Sequence, residues 1–119
     1  VQNTFYRYRF FYDNRDNLLF RITAAVRNAA DGKYQIGLSF CNKNDLKKWD
    51  KKQARKLAEE RLTSQDTVLT VNQREVDLRR GVFNAAIFKA MTLPERPTWL
   101  PVKLWAADVE TFDYCLANY

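Results

Sequence analysis

Three runs of strict alternation, separated by turn residues, constrain this chain more than any other feature. From Phe5 to Tyr12, one side carries Tyr6, Tyr8, Phe10 and Tyr12, and the other carries Phe5, Arg7, Arg9 and Phe11. Leu18 to Arg27 repeats the pattern with Leu18, Phe20, Ile22, Ala24 and Val26 on one side. Lys33 to Cys41 does so with Tyr34, Ile36, Leu38 and Phe40. Period two with aromatic and β-branched residues specifies strands. Asp13 to Asn17 and Asn28 to Gly32 have the composition of turns. The spacing predicts an antiparallel meander in which Tyr12 faces Leu18, Phe10 faces Phe20 and Tyr8 faces Ile22. On the next pair, Val26 faces Tyr34, Ala24 faces Ile36 and Ile22 faces Leu38. This register lines up rows of apolar side chains that a one-residue slip would destroy.

The opposite face then carries Arg7, Arg9, Arg21, Thr23, Arg27, Lys33, Gln35 and Ser39, with Phe5, Phe11 and Leu19 among them. Arg9 would sit across from Arg21, and Arg27 across from Lys33. Like charges placed so are destabilising, and an anion would relieve them. The alternative is that the long Arg stems cover apolar sheet surface and their heads splay into water.

After the third run the chemistry changes. Eight of the nineteen residues from Lys43 to Arg61 are Lys or Arg. Asn42 to Asp45 offers helix caps, and a helix is expected from Leu46 or Asp50 to Arg61 or Leu62. Its buried stripe would be Leu46, Trp49, Ala54, Leu57, Ala58 and Leu62, with Lys47, Lys48, Lys51, Lys52, Arg55 and Lys56 around the rest. Glu59 and Glu60 stand four residues beyond Arg55 and Lys56, the spacing of helical ion pairs. Thr67 to Val71 reads as a short fourth strand. A second helix is expected from Gln73 to about Met91, capped by Asn72 with Glu75 as its capping-box partner; Gly81 would weaken its interior. Leu93 to Pro101 holds all three prolines and reads as an extended loop anchored by Trp99 and Leu100. A last helix begins near Ala106 or Asp108, after a short strand at Val102 to Trp105.

The expected architecture is α+β: an antiparallel meander of three or four strands packed on one face by two or three helices. At 119 residues this is a single domain. It divides into a meander (1–41), a basic helix (42–63), and a strand, helix, Pro-rich loop and final helix (67–119). Such a length buries a core without metal or disulfide staples.

Charge gives the clearest functional signal. The net +6 is concentrated in residues 1–61, which hold 14 Lys/Arg against 7 Asp/Glu, while residues 62–119 hold 6 against 7. A focused positive field selects anionic partners. The expected partner is nucleic acid, DNA or RNA. Phosphate contacts would come from Arg7, Arg9, Arg21, Arg27 and Lys33 on the sheet, and from Lys47, Lys48, Lys51, Lys52, Arg55 and Lys56 on the helix. Phe5 and Phe11, interleaved with Arg7 and Arg9, resemble the stacking platforms of single-strand binders, in which rings hold bases and Arg follows phosphates. Covering of both rings by the C-terminal half is the competing outcome. Basic patches also dock on acidic proteins, so the alternative partner is a host protein, and exposed edge strands permit a homodimer.

Enzymatic chemistry has little to stand on. There is no His, the usual general base and commonest metal ligand. No P-loop, nucleophile elbow or dinucleotide glycine pattern occurs. Asp108, Glu110 and Asp113 form the acidic cluster of the sequence, and their place near a helix start suits the helix dipole better than a metal. Cys41 and Cys115 form no zinc pattern and read as free thiols or one disulfide. No catalytic residue, metal or cofactor is expected. No run is long enough to span a membrane and no signal peptide is visible, so a cytoplasmic location is expected.

The segment Gly32-Lys33-Tyr34-Gln35-Ile36-Gly37-Leu38-Ser39-Phe40-Cys41 feeds a Lys-rich helix ending Ala54-Arg55-Lys56-Leu57-Ala58-Glu59-Glu60-Arg61-Leu62. Over about a third of the chain, this pattern resembles the small uncharacterised proteins carried by tailed phages and other mobile elements. The resemblance implies such an origin, with the host cytoplasm as location, and no activity. The meander-then-helix order is similar in layout to the PC4-like single-strand-binding fold, whose sheet holds the nucleic acid.

Overall fold

The computed structural model describes residues 3–12, 15–75, 81–91 and 93–101. The alternating runs form β1 (Thr4–Tyr12), β2 (Leu18–Ala29) and β3 (Lys33–Asn42), and β4 (Leu69–Asn72) completes a four-stranded antiparallel sheet in the order β1-β2-β3-β4. A 3-10 turn (Lys43–Lys48) leads into α1 (Lys51–Thr63), and α2 (Val82–Met91) follows β4. The chain is α+β, built on an antiparallel meander. Gln73–Glu75 is a 3-10 turn rather than the start of a long helix. Gly81 stands at the head of α2, its carbonyl accepting from Ala85 N at 2.9 Å, so it is not the interior weakness expected. The expected last helix, the strand at Val102 to Trp105, the Asp108/Glu110/Asp113 cluster and Cys115 lie outside the described residues.

The β2–β3 register differs from expectation by two residues: Val26 pairs with Ile36 and Ile22 with Phe40. Both strands run on until Ala29 meets Lys33, and Ala30-Asp31-Gly32 closes the turn with Asp31 (φ 64°) and Gly32 (φ 68°) left-handed. An even shift preserves parity, so Ile22, Ala24, Val26, Ile36 and Leu38 still share the core face.

The β1–β2 pair differs by one residue, which has larger consequences. Tyr12 faces Leu18 as expected, but Leu19 is bulged and Phe11 then faces Phe20, Arg9 faces Ile22, Arg7 faces Ala24 and Phe5 faces Val26. An odd shift exchanges the faces of β1. The bulge places Phe11, 1% exposed, in the core and turns the tyrosine stripe to the other side. That exchange suits the chemistry, because Phe leaves no hydroxyl to satisfy inside. It also removes the expected pairing of Arg9 with Arg21, which is opposite Phe10 instead, while the slide between β2 and β3 removes the other, placing Arg27 opposite Gln35.

The helices consequently divide over two faces instead of one. On the first, Phe11, Phe20, Ile22, Ala24, Val26, Ile36, Leu38 and Leu69 pack with Ala86, Ile87 and Ala90 of α2 and with Leu100. Trp99 stacks on Phe40 there (6.2 Å between centroids), so the Pro-rich loop is anchored as expected. On the second face, α1 seats Ala58 and Leu62 against Ala25 and Tyr6. Gly37 makes this seat possible. A Cβ there would collide with backbone O of Ala58 and N of Leu62, and would stand 2.9 Å from Leu62 Cα. Ser39 Oγ fastens the helix by donating to Ala54 O at 2.9 Å. Asp50 caps it, accepting from Lys52 N at 2.9 Å.

Candidate nucleic-acid interface

Because α1 lies on the face that now carries Tyr6, Tyr8 and Phe10, cations from two elements converge there. Arg21 of β2 rests its guanidinium 3.9 Å from the Trp49 ring, 4.7 Å from Phe10 and 6.0 Å from Tyr8. Lys51 Nζ of α1 lies 5.2 Å from the Tyr8 ring. Arg55 donates from Nε to the Tyr8 hydroxyl, with its guanidinium 4.6 Å from Tyr6 and 5.6 Å from Tyr8. Tyr8 is thus the hub of three cations, and Trp49 meets it edge-on at 6.1 Å. Cation–ring contacts hold these charges in place without neutralising them.

Arg21 is the most unusual of the three. It is half-buried, its Nε is fully buried, and its N–H donors meet no acceptor among the described residues. The unpaired, buried Nε is costly; the Nη nitrogens are not among the buried unsatisfied atoms, and a phosphate oxygen would pair with those donors.

On the same turn-and-helix segment, Lys47, Lys48, Lys52 and Lys56 are exposed, and no ion pair involves them among the described residues. The Glu59 and Glu60 pairings expected for Arg55 and Lys56 are likewise not formed; Arg55 turns to the tyrosines instead. The first turn of α1 holds Lys51 and Lys52 and no acid. That sign opposes the helix dipole, and a bound anion would complement both.

The remaining expected contacts lie elsewhere. Arg27 shares the α1 face but serves the scaffold, donating from Nε to Gln35 Oε1 at 2.8 Å and from Nη2 to Leu62 O at 3.5 Å. Lys33 is exposed, but its strand neighbour Ala29 is eight residues from Arg21, roughly 26 Å along the sheet. Arg7 and Arg9 are on the opposite face, 5.0 Å from Phe5 and 5.8 Å from Phe11, and each makes further contacts. Phe5 packs on the core, edge-on to Tyr34, and Phe11 is buried, so this pair is not a stacking surface. Among the described residues the exposed aromatics are Phe10 and Tyr12, each 42% accessible. The stripe's composition was the available signal: hydroxyl-bearing Tyr6, Tyr8 and Tyr12 suit a rim, whereas Phe5 and Phe11 suit a core.

A groove of about 580 Å³ runs between α1 and the edge of β3, beyond the point where β4 stops pairing. Lys48 and Lys56 line it together with Asp45, Asp50 and Glu60, so its charge is mixed. Cys41 borders it. Burial and Asp45 raise the thiol's pKa against the opposing pull of Arg21, so Cys41 stays protonated at neutral pH. Arg61 closes the same edge, donating to Leu38 O at 2.7 Å, and burial lowers its pKa with Glu60 opposing.

Among the described residues, no group of His, Cys, Asp and Glu could hold a metal ion, and no helix is long and apolar enough to cross a membrane. No protein family, curated protein or solved structure matches the chain.

Proposed function

We propose that this protein is a nonenzymatic nucleic-acid-binding module with little sequence preference. The observation that carries the reading is Arg21: a half-buried guanidinium without an acceptor among the described residues, flanked at Tyr8 by Lys51 and Arg55. Arg21, Lys51 and Arg55 contact phosphates directly, and Lys47, Lys48, Lys52 and Lys56 extend the field. Lysines act as point charges and read no base edges, which accounts for low specificity. The resemblance of residues 32–62 to mobile-element proteins supports a phage or plasmid origin and action in the host cytoplasm.

The test is fluorescence anisotropy with labelled oligonucleotides across a salt series. Four to seven phosphate contacts give a log–log slope of about −3 to −5 on a single strand. Absence of binding at low salt, or a flat salt response, overturns the proposal.

A second reading, docking on a host protein, is favoured by the β3-edge groove, where Leu57 is 38% exposed beside Lys48 and Lys56. Recovery of a stoichiometric protein partner after nuclease treatment would select it.

A further inference from the structure

We infer that the partner strand is single, and that the ring of Phe10 is the platform on which one of its bases stacks. The inference rests on the nucleic-acid reading above and adds to it which part of the ligand is recognised.

Four observations lead to it. Phe10 is a large apolar side chain, 42% exposed, on the same sheet face as the cationic hub. Its cross-strand partner is Arg21, whose guanidinium lies 4.7 Å from the ring. The neighbouring rings are already engaged: Tyr8 bonds Arg55 through its hydroxyl and meets Trp49 edge-on, while Trp49 is half-buried against Arg21. Of the three rings against Arg21, Phe10 is therefore the one with surface left to offer. Finally, its immediate charge partner is the guanidinium whose donors meet no acceptor among the described residues.

Together these create a two-part contact. A base lying on Phe10 brings the adjoining phosphate to Arg21, with Lys51 beyond it at Tyr8. In a duplex the base faces are covered by their neighbours, and only edges and backbone are offered to a protein. A phenyl ring carries no donor or acceptor to read those edges, so it gains only from an uncovered base face. Every base has such a face, so the contact distinguishes single from double strands without distinguishing sequences.

The experiment compares three ligands of equal length at low salt: an oligothymidine of about 15 nucleotides, within the usual site size for such surfaces, its duplex, and an abasic deoxyribose-phosphate chain. The wild type is expected to bind the oligothymidine about tenfold more tightly than either of the others, within the range for one stacked base. Phe10→Ala should remove that preference and leave abasic and duplex binding unchanged. Phe10→Leu, which keeps apolar bulk but has no ring face, should behave as Phe10→Ala does, and Phe10→Trp should retain the preference. If the three ligands bind the wild type alike, or Phe10→Ala binds oligothymidine as the wild type does, the inference fails while the electrostatic reading stands. If none of the ligands binds, both fail.

Discussion

Replacing Gly37 by Ala tests where α1 sits, and the candidate interface depends on that seat. The added methyl meets only backbone: Ala58 O, Leu62 N and, at 2.9 Å, Leu62 Cα. Backbone cannot rotate aside, so α1 must lift by roughly 1 Å to restore ordinary contact. Overpacking of this kind typically costs about 1–3 kcal/mol. A lifted helix also loosens Leu62, 2% exposed, and stretches the Ser39–Ala54 bond. We expect about 3 kcal/mol, hence a fall in Tm of roughly 10–15 °C for a chain of this size. Thermal unfolding followed by circular dichroism reads this directly. Gly32→Ala is the control: Gly32 has φ +68° and nothing within 4 Å of its would-be Cβ. Its cost is therefore the left-handed backbone alone, about 1–2 kcal/mol. If Gly37→Ala melts with the wild type, or loses less than Gly32→Ala, α1 does not lie on the tyrosine face and the convergence around Tyr8 is refuted.

Three further outcomes are expected. Tyr8→Phe removes the hydroxyl that accepts from Arg55 and should cost about 0.5–1.5 kcal/mol in urea unfolding; a double-mutant cycle with Arg55→Gln should return most of that as coupling. Arg27→Ala loses its bonds to Gln35 and Leu62, so it should lower stability while leaving oligonucleotide affinity unchanged. Cys41, measured in a Cys115→Ser background, should alkylate with a pH midpoint above that of an unfolded thiol, because burial and Asp45 favour its protonated form. The corresponding stability is present below the unfolded thiol's pKa and is lost as pH rises from there through the folded value. A midpoint below the unfolded thiol's would contradict the assigned cause.

The parts of the fold legible in the sequence were those where only one face of a strand is apolar. β2 and β3 meet that condition, and alternation alone identifies their core faces even though the pairing slides by two. β1 does not, because aromatics occupy both its sides, and alternation cannot choose between Tyr6/Tyr8/Phe10 and Phe5/Phe11 for the core. A single bulged residue at Leu19 made the choice, and with it decided which arginines share a face with α1. The stripe of α1 was legible at Ala58 and Leu62 but not at Leu57. Close approach over Gly37 and Ala25 brings the helix in on small residues, which narrows the buried strip. A lone glycine in a strand signals either a bulge or a close backbone approach and does not say which. The arginines were the least legible. Arg21, Arg27 and Arg61 look alike in sequence, yet two are spent on backbone carbonyls and only Arg21 lacks an acceptor among the described residues. Side-chain hydrogen bonding across tens of residues decides this, and periodicity carries no trace of it.

The most direct test of the central claim compares the salt dependence of oligonucleotide binding for Arg21→Gln, Lys51→Gln and Lys33→Gln. Arg21 and Lys51 come from different elements and meet at Tyr8, so each substitution should reduce the log–log slope by about 0.7 on a single strand, the share of one phosphate contact. Lys33, roughly 26 Å away along the sheet, should leave the slope at its wild-type value. Equal reductions from all three, or none from Arg21→Gln, would contradict a binding surface centred on Tyr8.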